Sequence, residues 1–345
     1  MLIINEKNEL SESDVMDWQN LWGKLETAHF FNSYRWYLAC KNGLKQKVKV
    51  WFAYYNSELV GIFSLCLSKW YGINCWTIVG KPYTDKCSIL FDKDYYDYLP
   101  QILLEIGKKR PVVLEEVPET WNIDEKNLAL HEVASINPYV KLNEDILSQV
   151  KRKEWNNIKR KAEKSELYFK VIKPCDVRYN IHILWEIESR SNKPSKNREM
   201  FGLERTRDMF QIVAEGDDSI LFVLYDGDNP IAHMFGYNIK GRVFHAHHMS
   251  YDQDYFKQTP GKIVIYLLIS FLKDNGFCIL DFSRGETMLK NHFSTYKESN
   301  YVYYYNVSFF AMMWFKIFIL VKEKYYCVRK LIKYLYLCIK GRKTM

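Results

Sequence analysis

The chain has 345 residues, 48% of them hydrophobic and 26% charged, which fits about two globular domains and excludes a largely disordered protein. The formal net charge is +8, but Lys322 to Met345 alone holds eight basic residues against one acid, so the rest is close to neutral and a general nucleic-acid binder is not implied. The eight cysteines are scattered without a Cys-x-x-Cys pair, so neither a zinc knuckle nor a redox motif is expected. The first residues, MLIINEKNELSESD, lack the basic segment and apolar run of a signal peptide, and a cytoplasmic location follows as an expectation.

Trp18, Leu21, Trp22 and Leu25 recur at helical spacing and predict a helix over 13–27, with a second over 33–42. Two aromatic and β-branched runs flank Asn56-Ser57-Glu58 between Val48 and Trp70, a hairpin signature. Strands are expected at 75–79, 88–91 and 112–116, and a helix at 95–108. A charged helix over 145–166 reads as the connector between halves. Its cations (Lys151, Arg152, Lys153, Lys159, Arg160, Lys161) are either a solvated face or partners of a diphosphate. Beyond it come a strand at 168–172, helices at 181–191 and 204–215, and a second hairpin over 220–239 turning on Asp226-Gly227-Asp228. The two hairpins match weakly, which suggests two copies of one fold.

From Arg242 the order is strand, loop, helix, strand, ending at Asp281: a βαβ unit with a parallel or locally splayed pair. In the loop Lys257-Gln258-Thr259-Pro260-Gly261-Lys262-Ile263, Pro260 and Gly261 open the helix. Its exposed amides and positive end form an anion site that suits a pyrophosphate, with Lys257 and Lys262 beside it. His245, His247 and His248 share one strand; strict alternation sets His245 and His247 on one face and His248 on the other. No spacing supplies further metal ligands, so no metal is expected. A general base or donor among these histidines and a purely structural role both remain open, as they do for His233.

Gln-x-x-Gly-x-Ile between a strand and a helix resembles the acyl-CoA loop of the GNAT acyltransferase superfamily. Together, Tyr251-Asp252, Pro260-Gly261, Asp281-Phe282, Gly285 and Lys290 resemble the C-terminal half of polysaccharide-associated, GNAT-like proteins related to the Fem-type peptidyltransferases. Lys262-Ile263 departs from the small residue common in such loops. The resemblance implies an α/β fold of tandem GNAT-like domains with mixed sheets: a degenerate N-terminal domain over 1–144, an acyl-CoA-binding domain over 145–308 and a basic amphipathic tail helix over 309–345. It implies acyl-CoA, acetyl-CoA or longer, as co-substrate held by Lys257, Gln258, Thr259, Gly261, Lys262 and Ile263. Asp281, His245, His248 and Asp85 are the catalytic candidates, and Tyr83, Tyr251, Arg284 and Lys290 are the acceptor-side ones. In Fem-type relatives the acceptor lies between the halves, which is what draws attention to Asp85.

The expected function is N-acylation of an amino sugar, nucleotide-linked, for a bacterial surface polysaccharide such as O-antigen, by direct attack of the amine on the thioester. The alternatives are a Fem-like transferase using aminoacyl-tRNA on a lipid-linked acceptor, which the near-neutral body disfavours, and a silent GNAT-like scaffold. In the tail, Lys316 interrupts an apolar run too short to span a bilayer, and aromatics then mix with lysines. That pattern suits a helix lying on an anionic membrane at the inner face of the cytoplasmic membrane, or one packed on the body. The oligomeric state is left open.

Overall fold

The computed structural model describes residues 1–121, 130–150, 152–192, 199–294, 296–321 and 324–325. The first half contains β1 (Leu2–Lys7), α1 (Glu12–Lys24), α2 (Tyr34–Leu38), β2 (Val48–Tyr55), β3 (Glu58–Trp70), β4 (Ile73–Ile78), β5 (Ile89–Phe91), α3 (Leu99–Ile106) and β6 (Val112–Pro118). Helix α1 begins because the Ser11 hydroxyl accepts the Asp14 amide while the Asp14 carboxylate accepts that of Ser11. It buries Trp18 and Leu21. The β2–β3 turn is made by Asn56 and Ser57, both in the left-handed region, φ +47° and +69°. The helix expected over 95–108 is instead a 3-10 stretch, Lys93–Tyr98, followed by α3, with Pro100 in the first turn where a proline restarts a helix at no cost.

Next come β7 (Leu130–Lys141), α4 (Ile146–Gln149), α5 (Arg152–Lys164), β8 (Tyr168–Ile172), α6 (Pro174–Asn180), α7 (Ile183–Ser189) and α8 (Glu204–Ala214). The charged connector is therefore two helices rather than one. The rest is β9 (Ser219–Asp226), β10 (Asn229–Ile239), β11 (Val243–Tyr251), α9 (Pro260–Asp274), β12 (Ile279–Asp281), α10 (Met288–Phe293), β13 (Tyr296–Tyr305) and a helical segment over 309–321. The basic amphipathic helix expected beyond 325, like 322–323, lies outside the described residues.

Thirteen strands make one mixed sheet in the order β1-β2-β3-β4-β6-β13-β7-β12-β11-β10-β9-β8, with β5 paired to β3. Each half has one parallel pair, β4 with β6 and β11 with β12. Sequence periodicity did not reveal β7 and β13, and these two strands join the halves. β13 pairs with β6 of the first half, β7 with β12 of the second, and the two pair with each other. Each half is thus completed by a strand from across the chain.

A shared core reinforces the exchange. Phe30, Phe31, Trp36 and Cys40 pack with Phe210, Leu221 and Tyr237, and the Phe30 ring stacks on Tyr237 at 3.5 Å between centroids. Gly43 touches α8 so closely that a Cβ there would lie 2.5 Å from the Met209 backbone. Lys240 caps the end of α1, donating to the carbonyls of Gly23 and Leu25 at 3.1 and 2.6 Å.

The β10–β11 ladder steps from Phe235↔His248 to Gly236↔Ala246, which leaves His247 as the extra residue of a β-bulge. The alternation expected for the three histidines therefore fails. The bulge turns His248 to the same face as His245 and His247, where its ring meets Phe201 and Phe210. Gly236 makes the bulge possible, because a Cβ there would stand 2.2 Å from the His245 carbonyl oxygen. Gly236→Ala is expected to cost roughly 1–3 kcal/mol through overpacking, measured as a lower urea midpoint with unchanged m-value.

Candidate active site

Strands β11 and β12 stay paired for only three residues, Val243↔Ile279, Phe244↔Leu280 and His245↔Asp281. Among the described residues, no strand covers that edge of β11 from Ala246 to Tyr251. The result is a wedge whose wall is a row of backbone amides and carbonyls. Helix α9 starts at its mouth. The helix N-cap Thr259 is left-handed, φ +58°, an uncommon state for a β-branched residue. Gly261 packs tightly against the ring of Tyr251, 3.2 Å from where its Cβ would sit, so the close approach made there is to protein.

Two cavities flank this helix start. One, of about 440 Å³, lies between α5 and the loop and is lined by Arg160, Lys161, Lys164, Lys257, Gln258 and Ile263, among others. The other, of about 200 Å³, is mainly apolar, with Tyr251, Thr259, Gly261, Lys262, Met288 and Leu289 among its walls. All six residues expected at an acyl-CoA loop thus line one cavity or the other. Lys161 Nζ lies 3.5 Å from the Thr259 hydroxyl, so α5 brings its cations to the end of α9. Lys262 is ion-paired with Glu154 of α5.

The remaining candidates, apart from His248, gather where the halves meet. His245 stands between two carboxylates, its Nδ1 3.2 Å from Asp281 and its Nε2 3.5 Å from Asp85. Lys86 Nζ is 2.7 Å from Asp281. Arg284 reaches Asp85 at 3.0 Å through Nε and Glu116 at 3.1 Å through Nη1, and Ser283 donates to Asp85. Lys290 donates to the carbonyls of Ser283 and Arg284 at 3.2 and 2.8 Å. His247 bridges the Tyr83 carbonyl at 2.8 Å and the Tyr237 hydroxyl at 2.7 Å, and the Tyr83 hydroxyl meets Thr206 at 2.9 Å. His248 stands apart, its Nδ1 2.9 Å from His233 Nε2 and its Nε2 3.6 Å from Glu188.

Three members of the network gave no sequence signal: Lys86, Glu116 and Asn300. Glu116 is left-handed, φ +55°, at a register shift between β6 and β13. The shift aims its carboxylate at Ser135, Asn300 and Arg284. Two adjacent acids at the end of an apolar strand were the available clue. Asp281 and Asp85 line neither cavity.

Burial alone would raise Asp281, but Lys86 and His245 outweigh it and hold the carboxyl well below its usual range. Asp85 is likewise lowered, burial being outweighed by His245, His247 and Arg284. Burial would depress His245, yet Asp281 and Asp85 leave it raised. For His247, burial outweighs the upward pull of Asp85 and the Tyr83 carbonyl and takes it down to about 4. Among the described residues, no group of three His, Cys, Asp or Glu is placed to hold a metal ion.

With this geometry in view, residues 150–298 match the family model described as an acetyltransferase (GNAT) domain. Similar solved structures include FemX (TM-score 0.58, 9% identity, 86% of this chain and 96% of that one). A conserved protein of unknown function from Bacteroides thetaiotaomicron VPI-5482 aligns with TM-score 0.60 and 12% identity over 88% of this chain and 100% of its own. L-PGS from Bacillus licheniformis gives 0.57 and 13%, over 88% and 95%. No curated protein matches in sequence. The family match is confined to the second half of the chain, and the likeness to these solved structures is one of fold over nearly its whole length.

The pKa directions give a pH test. His247 binds a proton less readily folded, at about 4, than at its ordinary 6.5. The unfolded chain therefore holds more protons between these values, and stability falls as pH drops from 6.5 towards 4. His247→Gln should flatten this part of the stability curve, by up to about 1.4 kcal/mol per pH unit, in urea titrations at stepped pH. His245 acts in the opposite sense: its contribution is complete below 6.5 and fades as pH rises through its elevated folded value.

Proposed function

We propose that the protein is an acyl-CoA-dependent N-acyltransferase that acylates an amino sugar, nucleotide-linked, in the assembly of a bacterial surface polysaccharide. The observation that carries this reading is the open edge of β11 over 246–251, ending beside the start of α9 and its basic cavity. An acyl-CoA has three parts that fit three features. Its diphosphate suits the cations Lys161, Lys164 and Lys257 that line the cavity at the start of α9. Its pantetheine amides suit the exposed strand edge, as an added strand would. Its thioester would then point along β11 towards the bulge at 246–248, with the His245 cluster beyond.

The acceptor amine must arrive uncharged, and charge on the carbonyl oxygen must be met by fixed donors. Asp281 and Asp85, both held ionised, suit the anchoring of an acceptor ammonium or hydroxyl and the alignment of His245. His245, an imidazole between the two carboxylates, is assigned the proton transfer. His248 and Lys290 are assigned to orientation of the acyl carbonyl and acceptor, and Tyr83 and Arg284 to the acceptor side, whereas Tyr251, expected there too, lines the apolar cavity at the start of α9. On the same reading, the acyl-CoA domain spans 145–308.

A second reading, aminoacyl-tRNA-dependent transfer to a lipid-linked acceptor, gains weight from the whole-chain likeness to FemX. Incubation with acyl-CoA and a panel of amino sugars, following free thiol, separates the two when run beside aminoacyl-tRNA. Lys161→Ala combined with Lys257→Ala is expected to raise KM for acyl-CoA about ten-fold or more with little change in kcat. Asp281→Asn should lower kcat. Thiol release undiminished in Asp281→Asn removes that residue from the chemistry, and no release with any acyl-CoA removes the primary reading.

A further inference from the structure

Among the described residues, the helical segment over 309–321 is seated on the first half by one side. Phe315 is buried against Tyr71 and Tyr304, Phe318 stacks on Tyr71, and the Trp314 indole donates to the Tyr71 carbonyl at 2.9 Å. The other side is apolar and faces solvent. At 100° per residue, Phe309, Phe310, Met313, Ile317 and Leu320 fall within roughly 100° of arc, and every one is exposed, Phe310 at 83%. Surface helices of soluble domains normally turn such a stripe inwards. Here the side opposite Phe315 carries it. No helix among the described residues is long and apolar enough to cross a membrane.

Charge decides which occupant fits. Lys316 borders the stripe, and the sequence from Lys322 onwards holds eight basic residues and one acid. A second copy of this chain would bring an equally basic segment against the first, at an electrostatic cost. An anionic bilayer surface accepts both features, since the apolar stripe enters the interfacial layer and the cations meet lipid headgroups. We infer that the 309–321 stripe is a membrane-docking face that inserts side-on into anionic lipid. Docking there sets Tyr71 and the β3–β4 turn towards the bilayer. The docking is independent of the acyltransferase reading.

The test uses the full-length protein and co-sedimentation with vesicles of phosphatidylcholine alone or mixed with phosphatidylglycerol. Binding to the mixed vesicles, weakened by salt, is expected. Phe310→Asp with Ile317→Asp should weaken it roughly a hundred-fold with little change in melting temperature, because Phe310 is 83% and Ile317 50% exposed. A Lys316→Glu variant, fully folded, should lose part of the preference for phosphatidylglycerol. Equal sedimentation of wild type and double variant overturns the proposal, as does absence of wild-type binding. So does a double variant that turns a dimer into a monomer while still sedimenting, since the stripe would then be a contact between copies. Thiol release in solution is read separately, so failure of either proposal leaves the other standing.

Discussion

Two strands complete each other's halves. Because β13 lies between β6 and β7, and β7 between β13 and β12, the halves cannot separate without breaking the middle of a thirteen-stranded sheet. Strand pairing satisfies the backbone there, as buried amides and carbonyls demand. The side chains are constrained in turn. The end of β12 with Asp281, the loop holding Asp85 and Lys86, and the bulged end of β6 with Glu116 all arrive at one buried seam.

Such a seam is expensive to build. Asp85, Asp281, Glu115 and Glu116 are all buried, and each leaves water favourably only with partners in place. Lys81 and Arg284 meet the acids at the end of β6, Lys86 and His245 meet Asp281, and Asn300 and Ser135 supply neutral donors. Removal of a charged partner leaves a buried acid less compensated, by up to about 3–5 kcal/mol where no second partner stands by. A loss of activity in this seam therefore has to be read beside a stability measurement, which is why an isosteric Asp281→Asn is more informative than a truncation. The wedge at β11 differs: its polar backbone edge is open, and its helix start is faced by cations that line a cavity rather than fill it.

The loop that opens α9 was the more legible part of the candidate site. Lys257 to Ile263 are contiguous, and a Pro-Gly helix start after a strand is a local signal, so the six residues named from the loop all border the cavities. The buried seam was partly legible. Asp281, Asp85, Arg284 and Lys290 stood at turns, and the structure brings them together. Their partners Lys86, Glu116 and Asn300 gave no sign, because their spacing in the chain follows from strand exchange and not from any local period. The histidines show how one residue defeats alternation: the bulge at His247 reverses the side on which His248 projects, and Gly236, which permits it, lies on another strand.

The sequence by itself determined the local elements whose signals are short-range: the two hairpins, the capped first helix, the βαβ order and the loop that opens α9. Hydrophobic period, turn chemistry and caps act over a few residues, and the chain carries them whatever its partners. Only the tertiary structure decided that β7 and β13 exist as strands and change places, that the charged connector breaks into two helices with its cations beside α9, and that the 309–321 stripe turns outwards. These depend on which surfaces remain to be covered once the sheet has closed, and pairing across more than a hundred residues leaves no mark within a local window.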